Sequence, residues 1–161
     1  MSTPFNIAPE VMVFFASMIP FLEITGAIPL GIALGMASTA VIFWAMAGNF
    51  LFSIVLLKGL DPVTKFLMSK IKFVDRYLTK FFTGIHRNHS KRFNEIGIML
   101  LFLFVAIPGP GTGTYTSVAA AYLFKAPFWP SLIAIMLGNL VSSILLVEGI
   151  NIFKFLIHLL S

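Results

Sequence analysis

Met46-Ala47-Gly48-Asn49-Phe50-Leu51-Phe52-Ser53-Ile54-Val55-Leu56-Leu57-Lys58-Gly59 returns ninety residues later as Met136-Leu137-Gly138-Asn139-Leu140-Val141-Ser142-Ser143-Ile144-Leu145-Leu146-Val147-Glu148-Gly149. Seven of the fourteen aligned positions are identical, among them the Gly-Asn pair and the serine one turn beyond it. An apolar stretch broken by proline and glycine precedes each copy. The first reads Ile19-Pro20-Phe21-Leu22-Glu23-Ile24-Thr25-Gly26-Ala27-Ile28-Pro29. The second reads Ile107-Pro108-Gly109-Pro110-Gly111-Thr112-Gly113-Thr114-Tyr115-Thr116. Broken apolar segments at matching places in two halves are the sequence mark of a transporter whose site lies at the bilayer midplane.

Composition agrees with a membrane solvent. Hydrophobic residues make up 58% of the 161 residues and charged residues 11%, where a soluble domain carries about 25% charged. The absence of cysteine excludes disulfides and thiolate metal sites. No Lys or Arg precedes the first apolar run, so the N-terminus does not read as a cleaved signal peptide. The chain reads as one membrane domain, residues 1–161: repeat one over 11–60, a basic amphipathic segment over 61–95 and repeat two over 96–160.

Nine of the eleven basic residues fall between Lys58 and Arg92. The positive-inside rule puts that middle segment in the cytoplasm. Its apolar residues recur at three- and four-residue spacing from Val63 to Phe82. Asp61-Pro62 provides a helix start signal. The expectation is a helix lying on the cytoplasmic leaflet or along the protein's own cytoplasmic face, followed by a loop over Gly84–Ser90. Large apolar residues interleave the cations and membrane-grade segments flank them, which argues against nucleic acid as partner.

Ser38–Leu57 and Phe128–Val147 are uncharged and long enough to cross a core of about 30 Å. The pieces on either side of each break are too short to span alone. Backbone left unpaired at membrane depth is tolerated only within protein or beside a watery cavity. Each broken segment therefore reads as a re-entrant hairpin, and each repeat as that hairpin plus one transmembrane helix. One crossing per repeat inverts the second repeat, puts both termini outside, and lets the hairpin tips meet near the midplane. The competing reading makes each broken segment a kinked full crossing, with parallel repeats. The fold class is all-α, polytopic and integral to the membrane.

The two broken stretches quoted above resemble the putative small multi-drug export protein family, which is itself thought to be distantly related to the DedA/VTT membrane proteins. The resemblance covers nearly the whole chain. It implies opposed re-entrant loops, a homo-oligomer in the plasma membrane of a prokaryote, and a role in transport or lipid flipping. The family pattern leads us to expect a basic residue two positions after the glutamate, and this chain has Thr25 there. If that residue grips an anion in relatives, the grip is missing here.

Glu23 is the only charged residue between Val11 and Leu57. A carboxylate buried in a membrane must be paired or protonated, and an ionisable group there is a functional candidate by default. It could carry a coupling proton. It could instead brace its own turn by accepting amide hydrogen bonds around Thr25 and Gly26. The second broken segment has no charge, but Gly111, Thr112, Gly113, Thr114 and Thr116 could present amides and hydroxyls to an anionic headgroup. The same small residues could serve only close helix packing. Asn49 and Asn139 hold equivalent places and must find partners if buried, as braces of the hairpin tips or as substrate contacts. The histidines lie outside the broken segments, and no nucleophile, base and acid form a set. The reading is therefore a transporter, not an enzyme, without cofactor or metal. Its partners are membrane lipid, protons and an amphipathic substrate: a lipid phosphate or a small hydrophobic compound. A membrane scaffold or a lipid-modifying protein is the alternative.

Overall fold

A computed structural model describes residues 8–70, 91–109 and 113–160. Among these described residues there are six helices: α1 (Pro9–Ala16), α2 (Glu23–Ala33), α3 (Ser38–Lys70), α4 (Lys91–Ala106), α5 (Thr114–Leu123) and α6 (Phe128–Leu160). In each half two short helices lead into one of 33 residues. The shift of ninety found in the sequence also relates the helix ends. Ala16, Ala33 and Ser38 correspond to Ala106, Leu123 and Phe128.

Local chemistry explains these boundaries. After α2, Gly35 takes φ +81 while the Met36 amide donates to the Gly31 carbonyl at 3.1 Å and the Gly35 amide to Ile32. This is the pairing of a left-handed helix stop. Lys125, ninety positions on, makes the same stop at φ 52, with Ala126 donating to Ala121 at 2.9 Å.

Ser38–Leu60 and Phe128–Leu159 are long and apolar enough to cross a membrane. At 1.5 Å per residue they measure about 35 and 48 Å, against a hydrocarbon core of about 30 Å. The α3 helix differs from the expected end near Leu57, because it continues through Asp61-Pro62 to Lys70. A proline there gives up one backbone bond, to the Lys58 carbonyl, and the preceding turns are already wound. The rest of the expected amphipathic helix, the Gly84–Ser90 loop, His86 and His89 lie outside the described residues.

Glycine lets the short helices approach the long ones. A Cβ on Gly48 would collide with the Phe14 carbonyl and the Ser17 hydroxyl. A Cβ on Gly138 would stand 2.8 Å from the Phe102 carbonyl. The repeated glycine thus seats α1 on α3 and α4 on α6. The core is shared across the halves. Val147 of α6 joins Val13, Ile24, Ile28 and Val41. In return, Leu56 and Leu57 of α3 pack on the cluster of Val105, Val118 and Ile135.

Candidate functional site

The breaks before α2 and α5 bring the two halves together around Glu23. The chain turns sharply ahead of α2: Phe21 has φ 70 and is almost fully exposed, and Glu23 has φ 43. Neither is glycine, so this left-handed backbone costs on the order of 1–2 kcal/mol per residue. Strain of this kind is kept where surrounding contacts enforce it, often at functional sites.

Those contacts come from the other half. The Thr114 amide donates to Glu23 Oε2 at 2.9 Å and the Tyr115 amide to Glu23 Oε1 at 3.2 Å. The carboxylate therefore sits on the first two residues of α5, where amides lack helical partners and the dipole favours negative charge. Gly113 makes room for it, since a Cβ there would collide with the Glu23 carboxyl. Gly113 is the residue ninety positions after Glu23. One repeat supplies the acid, and the other leaves the space open at the same position.

Tyr115 ties the tips a second time, its hydroxyl donating to the Met18 carbonyl at 2.6 Å. Thr116 serves its own turn: its hydroxyl donates to the Gly113 carbonyl at 3.0 Å and accepts from the Gly113 amide at 3.2 Å.

Beneath this contact lies a buried polar layer. The Asn139 amide donates to Asn49 Oδ1 at 2.8 Å and to the Thr114 hydroxyl at 3.0 Å. The Thr114 hydroxyl donates to Asn49 Oδ1, also at 3.0 Å. The Asn49 amide reaches back to the Ser17 carbonyl at 3.4 Å. Ser53 and Ser143 each donate to the carbonyl of the asparagine one turn earlier, both at 2.7 Å. Asn49, Asn139 and Thr114 are all almost wholly inaccessible. The Ser117 hydroxyl, one turn into α5, is buried without a hydrogen-bond partner among the described residues.

The structure therefore gathers Glu23, Asn49, Gly113, Thr114 and Asn139. Thr116 lies at the edge of this group. Thr25 and Gly26 stand apart from it. The Thr25 hydroxyl donates to the Leu22 carbonyl at 3.0 Å, and Gly26 packs against the Leu22 side chain. The amides held by Glu23 are thus those of α5, not those of its own turn. Gly111 and Thr112 lie outside the described residues. Sequence reasoning missed Tyr115 and the carbonyls of Met18 and Ser17. The one available signal was an aromatic hydroxyl set among glycines and threonines. No group of three or more metal-binding side chains occurs among the described residues.

No curated protein and no solved structure matches the chain. A family model described as Putative small multi-drug export protein matches residues 23–145. The match begins at the Glu23 carboxylate and takes in both asparagines and the start of α5. It spans more than half of this membrane protein, and the chain belongs to that family.

Proposed function

We propose that the protein is a proton-coupled membrane transporter of an amphipathic substrate and that Glu23 is its coupling group. The observation that carries this reading is the Glu23 carboxylate held by the Thr114 and Tyr115 amides across the two halves. An ionised carboxylate offers both oxygens as acceptors. A protonated one keeps a single free acceptor and turns an O–H toward a second donor. Proton uptake thus removes a charge-assisted bond and loosens the contact between the tips. The freed amides then suit an anionic headgroup such as a lipid phosphate. The ionised carboxylate and the headgroup compete for one pair of amides, and proton binding to Glu23 decides between them, which couples proton and headgroup movement.

The matched helix ends and the paired Gly48 and Gly138 support two repeats, each a re-entrant pair of short helices plus one crossing. With the Lys58–Arg92 stretch cytoplasmic, both termini lie outside. Single cysteines at Ser2 and Ser161 then react with an impermeant thiol reagent from outside, and cysteines over Gly84–Ser90 react from inside. Labelling of both termini only from the cytoplasm overturns the inverted arrangement.

The family description favours a second reading, a hydrophobic compound exported in exchange for protons. One liposome assay separates the two: a fluorescent polyprenyl or phospholipid phosphate against a cationic dye, with and without a proton gradient. Gradient-dependent movement of the lipid phosphate that is lost in Glu23→Gln supports the first reading. Movement of the dye alone supports the second. Movement of neither, in folded protein, refutes both.

A further inference from the structure

A groove of about 500 Å³ runs between α4 and α5, within the range of ligand-binding cavities. Ile96, Leu100, Leu103, Phe104 and Ile107 line one side, and Ala120 and Phe124 the other. The lining is almost entirely hydrocarbon. One end lies at Ile107, beside the second broken segment. The other lies at Ile96, Phe124 and Ala126, where charge gathers. Lys125 sits between the two lining residues Phe124 and Ala126 and is exposed. Leu57 packs against the buried cluster of Leu101, Ala121 and Ala134, the first two of which line the groove. The next residue, Lys58, places its ammonium 5.5 Å from the ring of Phe128. Lys58 and Lys125 are thus the described cations that flank this end.

We propose that the groove binds the acyl chain of an anionic phospholipid from the cytoplasmic leaflet, with its phosphate at Lys58 and Lys125. Two features select this occupant. The slot accepts hydrocarbon and offers almost nothing to a polar ligand. Its mouth is cationic and lies at the end that the positive-inside rule assigns to the anionic leaflet. Phe128, under Lys58, stacks edge-on against Trp129, which is exposed as an interfacial anchor is. The proposal extends the proposed function by giving an anionic lipid a docking place outside the Glu23 centre. It depends on the membrane placement of the chain and not on transport.

Because the chain has no cysteine, Leu103→Cys can carry a small fluorophore inside the groove. The labelled protein is placed in vesicles of phosphatidylglycerol and phosphatidylcholine, one or the other bearing a nitroxide on its acyl chain. We expect nitroxide phosphatidylglycerol to quench the fluorophore preferentially. In the Lys58→Gln, Lys125→Gln variant that preference falls on the order of twentyfold at low salt. Gly97 also lines the groove, and a Cβ there meets open space. Gly97→Phe therefore folds, fills the slot and abolishes quenching by both lipids. Glu23→Gln keeps the lipid preference even where transport is lost, so the two proposals fail separately. Equal quenching by both lipids, unchanged by the lysine substitutions, overturns the proposal. So does absence of quenching with disulfide-linked dimers through unlabelled Leu103→Cys, which makes a second copy the occupant.

Discussion

Replacing Glu23 by Gln changes one oxygen to an amide nitrogen and probes the contact between the halves directly. Two oxygens currently accept from two different amides, at 2.9 and 3.2 Å. Gln offers one acceptor, and its NH2 must then face the second N–H, donor against donor. Hydrogen bonds to a charged group contribute about 1.5–3 kcal/mol each, and a neutral one contributes about 1 kcal/mol. The substitution removes two of the first kind, keeps one of the second, and leaves a donor unmet. Since Glu23 is only half-buried, water offsets part of the loss. The expected destabilisation is about 2–3 kcal/mol relative to the ionised wild-type acid. For a chain of this size that lowers Tm by roughly 4–12 °C. The measurement is thermal unfolding of the detergent-purified variant beside wild type, followed by proton-driven transport in liposomes. Glu23→Asp, one methylene shorter, falls between the two in stability and retains partial transport. Wild-type Tm and transport in Glu23→Gln would refute both the latch and the coupling role.

Gly113→Ala drives a Cβ into the Glu23 carboxyl and is expected to reproduce the stability loss of Glu23→Gln. Combined with Glu23→Ala it adds little further, and a double-mutant cycle that proves additive would break the argument. Asn139→Leu strips Asn49 Oδ1 and the Thr114 hydroxyl of a donor. It is expected to cost about 1–3 kcal/mol, read as the unfolding midpoint in denaturant. Gly48→Ala meets the Phe14 backbone and is expected to cost more than about 2 kcal/mol. Gly35→Ala meets open space at φ +81 and costs only about 1 kcal/mol. The reverse order of the two midpoints would refute the packing argument.

The long helices were legible because an uncharged run of twenty residues has one fate in lipid and because Gly-Asn and Ser recur at fixed spacing. Asn49 and Asn139 could be paired on paper, since a buried amide must find a partner and the repeat supplies one of equal rank. The partner of Glu23 could not be read. A backbone amide exists at every residue, so no letter marks Thr114 and Tyr115 as the donors. Nearness in the chain favoured the amides around Thr25 and Gly26. The local strain at Phe21 and Glu23 turns the carboxyl toward the other half instead. Asp61-Pro62 misled for a related reason. It signals a helix start when the chain before it is free, but here α3 arrives already wound.

The contact between Glu23 and α5 also sets an order of events during synthesis. Thr114 is joined to the chain 91 residues after Glu23. At about 5–20 residues per second, the ribosome takes roughly 5–18 s to deliver it. Throughout that interval the first broken segment has its acid but lacks the amides that hold it. Val13 and Ile28 lack Val147 for longer still. The nascent first half therefore meets the machinery that inserts it with a carboxylate whose partners in the folded protein are not yet made. Insertion of this protein is a joint act of both halves, and a pause in translation between them lengthens the time during which quality-control proteases can reach the first.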